Sequence, residues 1–343
     1  MFILFGSIFV IAAGVAAYFK SKKSLSHITA EIIFEMKYNV IGLKALIDDY
    51  LGSKRNTIVL PKKTGKIAIV TGGSRGIGTE VVRMLLQCDM EVIIGDKLIR
   101  LLRESGVKEG SAKVYELDNN SLESVRKFVE TVKNNYCKID VLINNAGIMF
   151  TPYTETKEGF EQQWGVNYLS HFLLSSLLLP LLKNASTEKE SARIVNVSSC
   201  AYTAGSINFE DINYKKCFIT SAAYAQSKLA QIMFTKWVQG LLNKEGVNVE
   251  LYAVHPGIVN TDLFNGTQLK KNAQWVINML FKNPAQGATS IIYAAVSSDI
   301  EGKGGIYISN CGEESVSDLA ENKEIQQKLF NLSLEQTGLK KFF

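Results

Sequence analysis

Thr71-Gly72-Gly73-Ser74-Arg75-Gly76-Ile77-Gly78 follows Lys66-Ile67-Ala68-Ile69-Val70, a short apolar run rich in β-branched residues, and precedes Glu80 to Gln87, which reads as helix. A strand-to-helix turn is therefore expected at the glycines. The spacing Gly72-x-x-x-Gly76-x-Gly78 lets the chain turn tightly, lets backbone N–H groups approach a pyrophosphate with no Cβ in the way, and packs helix close on strand. Phosphates would rest on the helix N-terminus, so the loop, with Ser74, Arg75 and Ile77 between its glycines, reads as a dinucleotide site.

From Lys66 onward, strands (Ile67 to Thr71, Glu91 to Gly95, Val114 to Glu116, Val141 to Asn144, Ile194 to Ser198, Val249 to Val254) alternate with helices (Glu80 to Gln87, Ser121 to Asn135, Gln162 to Leu182, Ala223 to Leu242). That alternation predicts an α/β fold, a doubly wound parallel sheet with helices on both faces, with ligands beyond the C-terminal strand ends. Asp118, Asn144-Asn145-Ala146-Gly147, Ser198-Ser199 and Pro256-Gly257 all fall at such ends. The chain has 343 residues, 46% hydrophobic and 21% charged, enough for a full core. A net charge of +5 is mild and dispersed, so no nucleic-acid partner is expected. The five cysteines are scattered and lack CxxC spacing, which predicts neither a disulfide framework nor a metal site, and a reducing compartment. Five N-x-[ST] matches occur, and one of them, Asn196, lies within an expected core strand.

Tyr224 and Lys228 stand four residues apart, on one face of a helix. A phenol with an ordinary pKa near 10 is a poor base at neutral pH, and a nearby positive charge lowers it toward the working range, so the pair can serve as an acid/base unit. In one chain and in this order, TGGSRGIG, NNAG and YAQSK resemble the short-chain dehydrogenase/reductase family, over about residues 64 to 335. The resemblance implies a Rossmann fold and the following roles. Tyr224 exchanges a proton with the reacting oxygen. Lys228 tunes it and binds the nicotinamide ribose. Ser199, rather than Ser198, hydrogen-bonds the reacting oxygen, and Asn167 holds a water of the proton relay. Asn144, Ala146 and Gly147 belong to the segment lining the adenosine ribose, and Asp118 faces the adenine. Pro256, Gly257 and Val259 lead to Thr261, near the nicotinamide carboxamide. His171 and His255 are expected to be structural, Trp164 to be core, and the run Trp275 to Phe281 to lie where this family builds its substrate lid.

Residues 1–19 are expected to form a transmembrane anchor, since Phe2 to Phe19 is uncharged and would span roughly 27 Å as a helix. A cleavable signal peptide is disfavoured, because the positive charges Lys20, Lys22 and Lys23 come after the apolar run and not before it. By the positive-inside rule, the downstream domain is expected in the cytosol, at the endoplasmic reticulum membrane. Residues 20–63 read as an amphipathic helix and a basic linker. The apolar positions Ile28, Ile32, Ile33, Met36, Val40, Leu43, Leu46, Ile47, Tyr50 and Leu51 could face either membrane or domain. Residues 64–343 are then the dehydrogenase domain.

Ser199 and Tyr224 are 25 residues apart, and the intervening Ile207-Asn-Phe-Glu-Asp-Ile212 resembles the retinol-dehydrogenase-like branch. Pro256-Gly-Ile-Val-Asn-Thr-Asp-Leu263 and Glu301-Gly-Lys-Gly-Gly305 are similar to members of that branch that oxidise polyprenol and reduce dolichal in dolichol synthesis. The resemblance implies a membrane-anchored oxidoreductase moving hydride between NAD(P) and a long-chain isoprenoid alcohol or aldehyde. Retinol or a steroid is the alternative substrate, and a homodimer is among the assemblies it allows. A non-catalytic binding protein is disfavoured because Asn167, Ser199, Tyr224 and Lys228 are all present. Asp96 favours NAD by repelling a 2′-phosphate, whereas Lys97 and Arg75 favour NADP, and these signals leave NAD and NADP both open.

Overall fold

The computed structural model describes residues 24–96, 111–264 and 274–343; the expected anchor and Lys97 lie outside these described residues. In chain order the elements are α1 (Leu25–Gly52), β1 (Ile67–Thr71), α2 (Ile77–Gln87), β2 (Glu91–Asp96), β3 (Ser111–Glu116), α3 (Leu122–Asn135), β4 (Val141–Asn144), α4 (Ser170–Ala185), β5 (Ala192–Val197), α5 (Thr220–Lys244), β6 (Val249–His255), α6 (Gln274–Leu280), α7 (Pro284–Val296), β7 (Tyr307–Ser309), β8 (Gly312–Glu314), α8 (Asp318–Glu321) and α9 (Lys323–Thr337).

The sheet order is β3-β2-β1-β4-β5-β6-β7-β8. All pairings are parallel except β7 with β8. The strands read as near-continuous apolar runs because both faces are covered. One face packs Phe128, Trp164, Phe172 and Leu229 under α3, α4 and α5, and the other packs Val81, Leu85, Ile291 and Ile292 under α2 and α7. After β1 the chain builds outward through β2 and β3, then returns as β4 on the other side of β1. The strand order reverses there, so a crevice opens beyond the ends of β1 and β4, flanked by the glycine loop and by Asn145-Ala146-Gly147. Gln162–Ala185 is long and apolar enough to cross a membrane, but 89% of its most apolar window is buried, making it the domain's central helix.

α1 begins at Ser24, whose side chain accepts from the His27 N–H. It packs along the turn Cys200–Ala204 and α5, burying Ile28, Ala45, Asp49 and Gly52. Gly52 permits close approach, since a Cβ there would fall 2.7 Å from Asn310 Nδ2. The Asp49 carboxylate meets Lys282 Nζ at 2.8 Å and accepts the Ile258 N–H at 2.8 Å, both side chains of the ion pair being buried. Most of the periodic apolar positions point the other way: Ile33, Met36, Val40, Leu43, Ile47, Tyr50 and Leu51 are exposed. The side facing the domain combines Ile28 with small, aromatic and paired polar residues.

Candidate active site

The glycine loop is closed against its neighbours. Gly72 and Gly76 have φ of +63° and +58°, and a Cβ on Gly78 would lie 2.1 Å from the Gly72 carbonyl oxygen. These conformations and contacts exclude a side chain. α2 starts at Gly76 with no side-chain cap, so its first N–H groups face the crevice uncapped. Asn145 holds the loop from β4: its Nδ2 donates to the Thr71 and Gly72 carbonyls at 2.9 and 3.2 Å. Thr71 Oγ1 accepts the Asn145 and Ala146 N–H groups, each at 2.9 Å. Uncapped N–H groups around a cradle that a Cβ would fill suit a pyrophosphate, so the residues present fit a dinucleotide cofactor.

Around the cradle the structure places most of the expected cofactor residues. Asp96, at the end of β2, accepts Ser74 N–H at 3.2 Å and Ser74 Oγ–H at 2.5 Å, while Arg75 is exposed and Ile77 opens α2. Thr261 reaches the same loop, its Cγ2 3.5 Å from a Cβ built on Gly76. Pro256, Gly257 and Val259 are buried just before it, and Gly257 takes a φ of +91° where a Cβ would strike Lys282. A Cβ on Gly147 would lie 3.3 Å from Asn167 Oδ1 and 3.7 Å from Lys228 Nζ, joining cradle to reaction centre. Asp118 caps the turn after β3, accepting the Asn120 N–H at 2.9 Å. Asn144 stands apart: its side chain is fully buried and donates to Asn196 Oδ1 at 2.8 Å and Ser175 Oγ at 3.0 Å, turned into the core away from the crevice.

Tyr224 and Lys228 stand one turn apart on α5, both buried, with Lys228 Nζ 5.6 Å from the Tyr224 ring centroid. Ser198 Oγ donates to the Lys228 carbonyl at 2.8 Å and is thereby occupied. Ser199 Oγ accepts the Ala201 N–H at 3.2 Å, leaving its proton to give, and it hydrogen-bonds Tyr224. Burial raises the Tyr224 phenol above its ordinary value, opposed by the Ser199 hydrogen bond. The downward pull expected from Lys228 does not dominate, because burial acts on the lysine too and lowers it to about 7. Its Nζ is turned to the Val197 carbonyl at 2.8 Å and Gln231 Oε1 at 3.2 Å.

Asn167 sits in a π-helical turn, Gly165–Leu169. Such turns break the regular ladder and recur at functional sites. Its amide grips Ile148 by both backbone groups, at 2.9 and 3.0 Å, and donates to Ser227 Oγ at 3.0 Å. His171 is buried and hydrogen-bonded, not exposed as a base. Its Nδ1 meets the Asn167 carbonyl at 3.1 Å and its Nε2 the Thr71 hydroxyl at 3.0 Å. A carbonyl can only accept, so Nδ1 carries the proton and Nε2 accepts from Thr71. Burial lowers this histidine to about 3, and it stays neutral. Thr71, Asn145 and His171 thus tie the cradle to Asn167. Sequence reasoning left the first two out of its site, although both stand inside its quoted motifs. His255 likewise accepts the Cys200 N–H at 3.2 Å and is held neutral by burial.

α1 reaches this centre from outside the sheet. Phe34, Tyr38, Phe150 and Tyr224 form a chain of rings with successive centroid distances of 6.3, 5.7 and 6.2 Å. Phe150 takes a φ of +56°, a rare conformation for a bulky residue, and turns its ring into the chain. Glu35 hydrogen-bonds Ser221, one turn before Tyr224. No part of the sequence pattern announces that α1 lines this wall.

Residues 66–272 match the family model described as short chain dehydrogenase. The chain is 40% identical over 293 residues to the polyprenol dehydrogenase of Homo sapiens, covering 82% of this chain and 88% of that protein. It is 39% identical over 297 residues to retinol dehydrogenase 14 of Mus musculus, covering 81% and 87%. Among solved structures, an uncharacterized protein from Mycobacterium Paratuberculosis superposes with a TM-score of 0.65 at 31% identity, over 82% of this chain and 96% of that one. With its dinucleotide cradle, its tyrosine and lysine one helical turn apart and its Rossmann sheet, the chain belongs to the short-chain dehydrogenase family of NAD(P)-dependent oxidoreductases.

Proposed function

We propose that this chain moves hydride between NAD(P) and a long-chain isoprenoid alcohol or aldehyde of the polyprenol and dolichal type, while anchored in the endoplasmic reticulum membrane by residues 1–19 with its domain, residues 64–343, in the cytosol. The observation that carries the reading is the buried trio Asn167, Tyr224 and Lys228 with the half-buried Ser199 beside it, at the foot of an aromatic wall, in a chain similar to a polyprenol dehydrogenase. An apolar wall suits a substrate with little besides its terminal oxygen to hydrogen-bond.

Bound NAD(P) supplies the carbon that accepts or gives hydride. The chain's own residues handle the proton. In oxidation, Tyr224 as the phenolate takes the hydroxyl proton at its phenolic oxygen, and Ser199 donates a hydrogen bond to the same substrate oxygen. In reduction, Tyr224 returns that proton. Lys228 sits beside Tyr224 and beside Gly147, where it holds the nicotinamide ribose and stabilises the phenolate when charged. Asn167 keeps Ile148 and Ser227 in register and holds a relay water. Asp118, with the Asn144–Gly147 segment, lines the adenosine side, Asn144 acting through its backbone neighbours since its own side chain is turned away.

Cofactor preference rests on Asp96 against Arg75 and Lys97. Asp96 also grips Ser74, so Asp96→Asn, which keeps an acceptor and removes the charge, is the cleaner variant. It should shift kcat/KM toward NADP(H), and Arg75→Ala with Lys97→Ala should shift it toward NAD(H). A retinoid substrate is the second reading, favoured by the 39% identity to a retinol dehydrogenase. The deciding assay measures kcat/KM with polyprenol, dolichal, retinol and a steroid against both cofactors, in detergent or vesicles. Efficient turnover of retinol or the steroid without polyprenol overturns the isoprenoid assignment.

A further inference from the structure

The outer side of α1 carries Ile33, Met36, Val40, Leu43, Ile47 and Tyr50, spaced three, four, three, four and three residues apart. All six are exposed, Ile33 and Val40 at 63% and Tyr50 at 80%. At 3.6 residues per turn this stripe lies roughly 145° around the helix from the side holding Ile28, Ala45 and Asp49. A stripe two and a half heptads long, turned away from its own domain, is more than scattered surface apolarity. α6 carries further exposed apolar residues, Trp275, Met279 and Leu280, at 67%, 66% and 50%. The Asp49–Lys282 pair joins the C-terminal end of α1 to the residue two positions beyond α6.

We propose that the outer stripe of α1 lies on the surface of a lipid bilayer, so that one helix faces lipid on one side and the catalytic wall on the other. This rests on the reading of Phe2 to Phe19 as an anchor. That segment ends five positions before Ser24, too short a connection to carry the start of α1 far from the membrane. In the sequence, basic residues bracket the helix, Lys20, Lys22 and Lys23 before it and Lys54 and Arg55 after it, a charge pattern that anionic headgroups attract. The inner side of the same helix presents Phe34 and Tyr38 to Phe150, which lies against Tyr224. An apolar alcohol leaving the bilayer along this edge reaches the reacting phenol without crossing bulk water.

The test uses the full chain in phospholipid vesicles, in a Cys137→Ser background because Cys137 is exposed. An environment-sensitive fluorophore is attached at Val40→Cys or Ile47→Cys, with Asn39→Cys, exposed but off the stripe, as the comparison. The chain without an introduced cysteine reports labelling of the native thiols. Lipids brominated on their tails should quench Val40 and Ile47 at least about twofold more than Asn39. Co-flotation with vesicles but equal quenching at all three positions overturns the proposal and leaves the anchor intact. Failure to co-float overturns the anchor reading and the proposal with it. Protection of Val40 from both lipid bromine and aqueous iodide means that a second copy covers the stripe, which also overturns it. Independently, Val40→Asp with Ile47→Asp should raise KM for a vesicle-borne polyprenol at least about tenfold and leave kcat/KM for a short water-soluble alcohol unchanged, since the change puts two charges where apolar side chains would meet lipid. Equal KM for the vesicle-borne substrate would count against lipid contact.

Discussion

Tyr224 and Lys228 are displaced in opposite directions by the same cause, burial, which disfavours whichever form is charged. Tyr224→Phe keeps the ring and removes the ionisable group. Turnover should fall by at least about 10²-fold while NAD(P) binding, read by fluorescence, persists; near-normal turnover would remove Tyr224 from the reaction. Lys228 gives a pH signature of its own. With the folded group near 7 and the unfolded one near 10.5, the unfolded chain holds more protons between those values. Its burial therefore costs stability fully below pH 7, and the cost fades as pH rises. In cofactor-free protein, denaturation midpoints should climb from pH 7 to 8.5, and Lys228→Met should flatten that climb. His171 shows how far residue types alone can be read. Its apolar neighbours marked it as packed, but its bridge from Thr71 to Asn167 joins positions far apart in the chain and became visible only once they were folded together. His171→Leu removes the nearer acceptor of the Thr71 hydroxyl, leaving it only the Ile143 carbonyl at 3.5 Å, and should cost about 1–3 kcal/mol in chemical denaturation, with weakened cofactor affinity.

At the scale of elements, the strand-loop-helix around Gly72 to Gly78 was legible because its requirements are local: φ above zero, no Cβ, and an uncapped helix start. α5 and its Tyr224–Lys228 pair were legible for the same reason. α1 was legible as a helix and not in its orientation, because periodicity shows that a face is apolar without showing what it meets. Among the contacts that bind it to the domain is a buried ion pair between residues 49 and 282, and no sequence pattern links them. Asp49→Ala leaves the Lys282 ammonium buried and unpaired and should destabilise the fold by about 3–5 kcal/mol. Asp49→Ala with Lys282→Met should recover most of that loss in thermal or urea unfolding. If the double variant is no better than the single, the pair is not what fastens α1. The π-helical turn at Asn167 was equally silent, since Gly165-Val-Asn-Tyr-Leu169 differs in no obvious way from ordinary helix.

At the scale of the whole molecule, the parallel sheet followed from the alternation of elements, and its reversal between β1 and β4 places cradle and reaction centre on one edge. The short β7 and β8 were not read, being only three residues each and lacking a periodic signal. The proposed cytosolic orientation predicts that protease added outside sealed microsomes digests the domain; protection would place it in the lumen. Asn196 bears on the same question. In β5 its Nδ2 donates to Thr235 Oγ1 at 2.9 Å and its Oδ1 accepts from Asn144, all at zero exposure. That nitrogen is also the atom to which an oligosaccharide would be attached in Asn196-Val197-Ser198. A nascent chain threaded into a glycosylating compartment meets the transferase before β5 is paired, and a sugar placed there bars the strand from its neighbours for the life of the molecule. Under the proposed cytosolic orientation this is a biosynthetic penalty for synthesis on the other side of the membrane, and rerouting the domain through a cleavable secretion signal should yield a glycosylated, degraded product in place of a displaced enzyme.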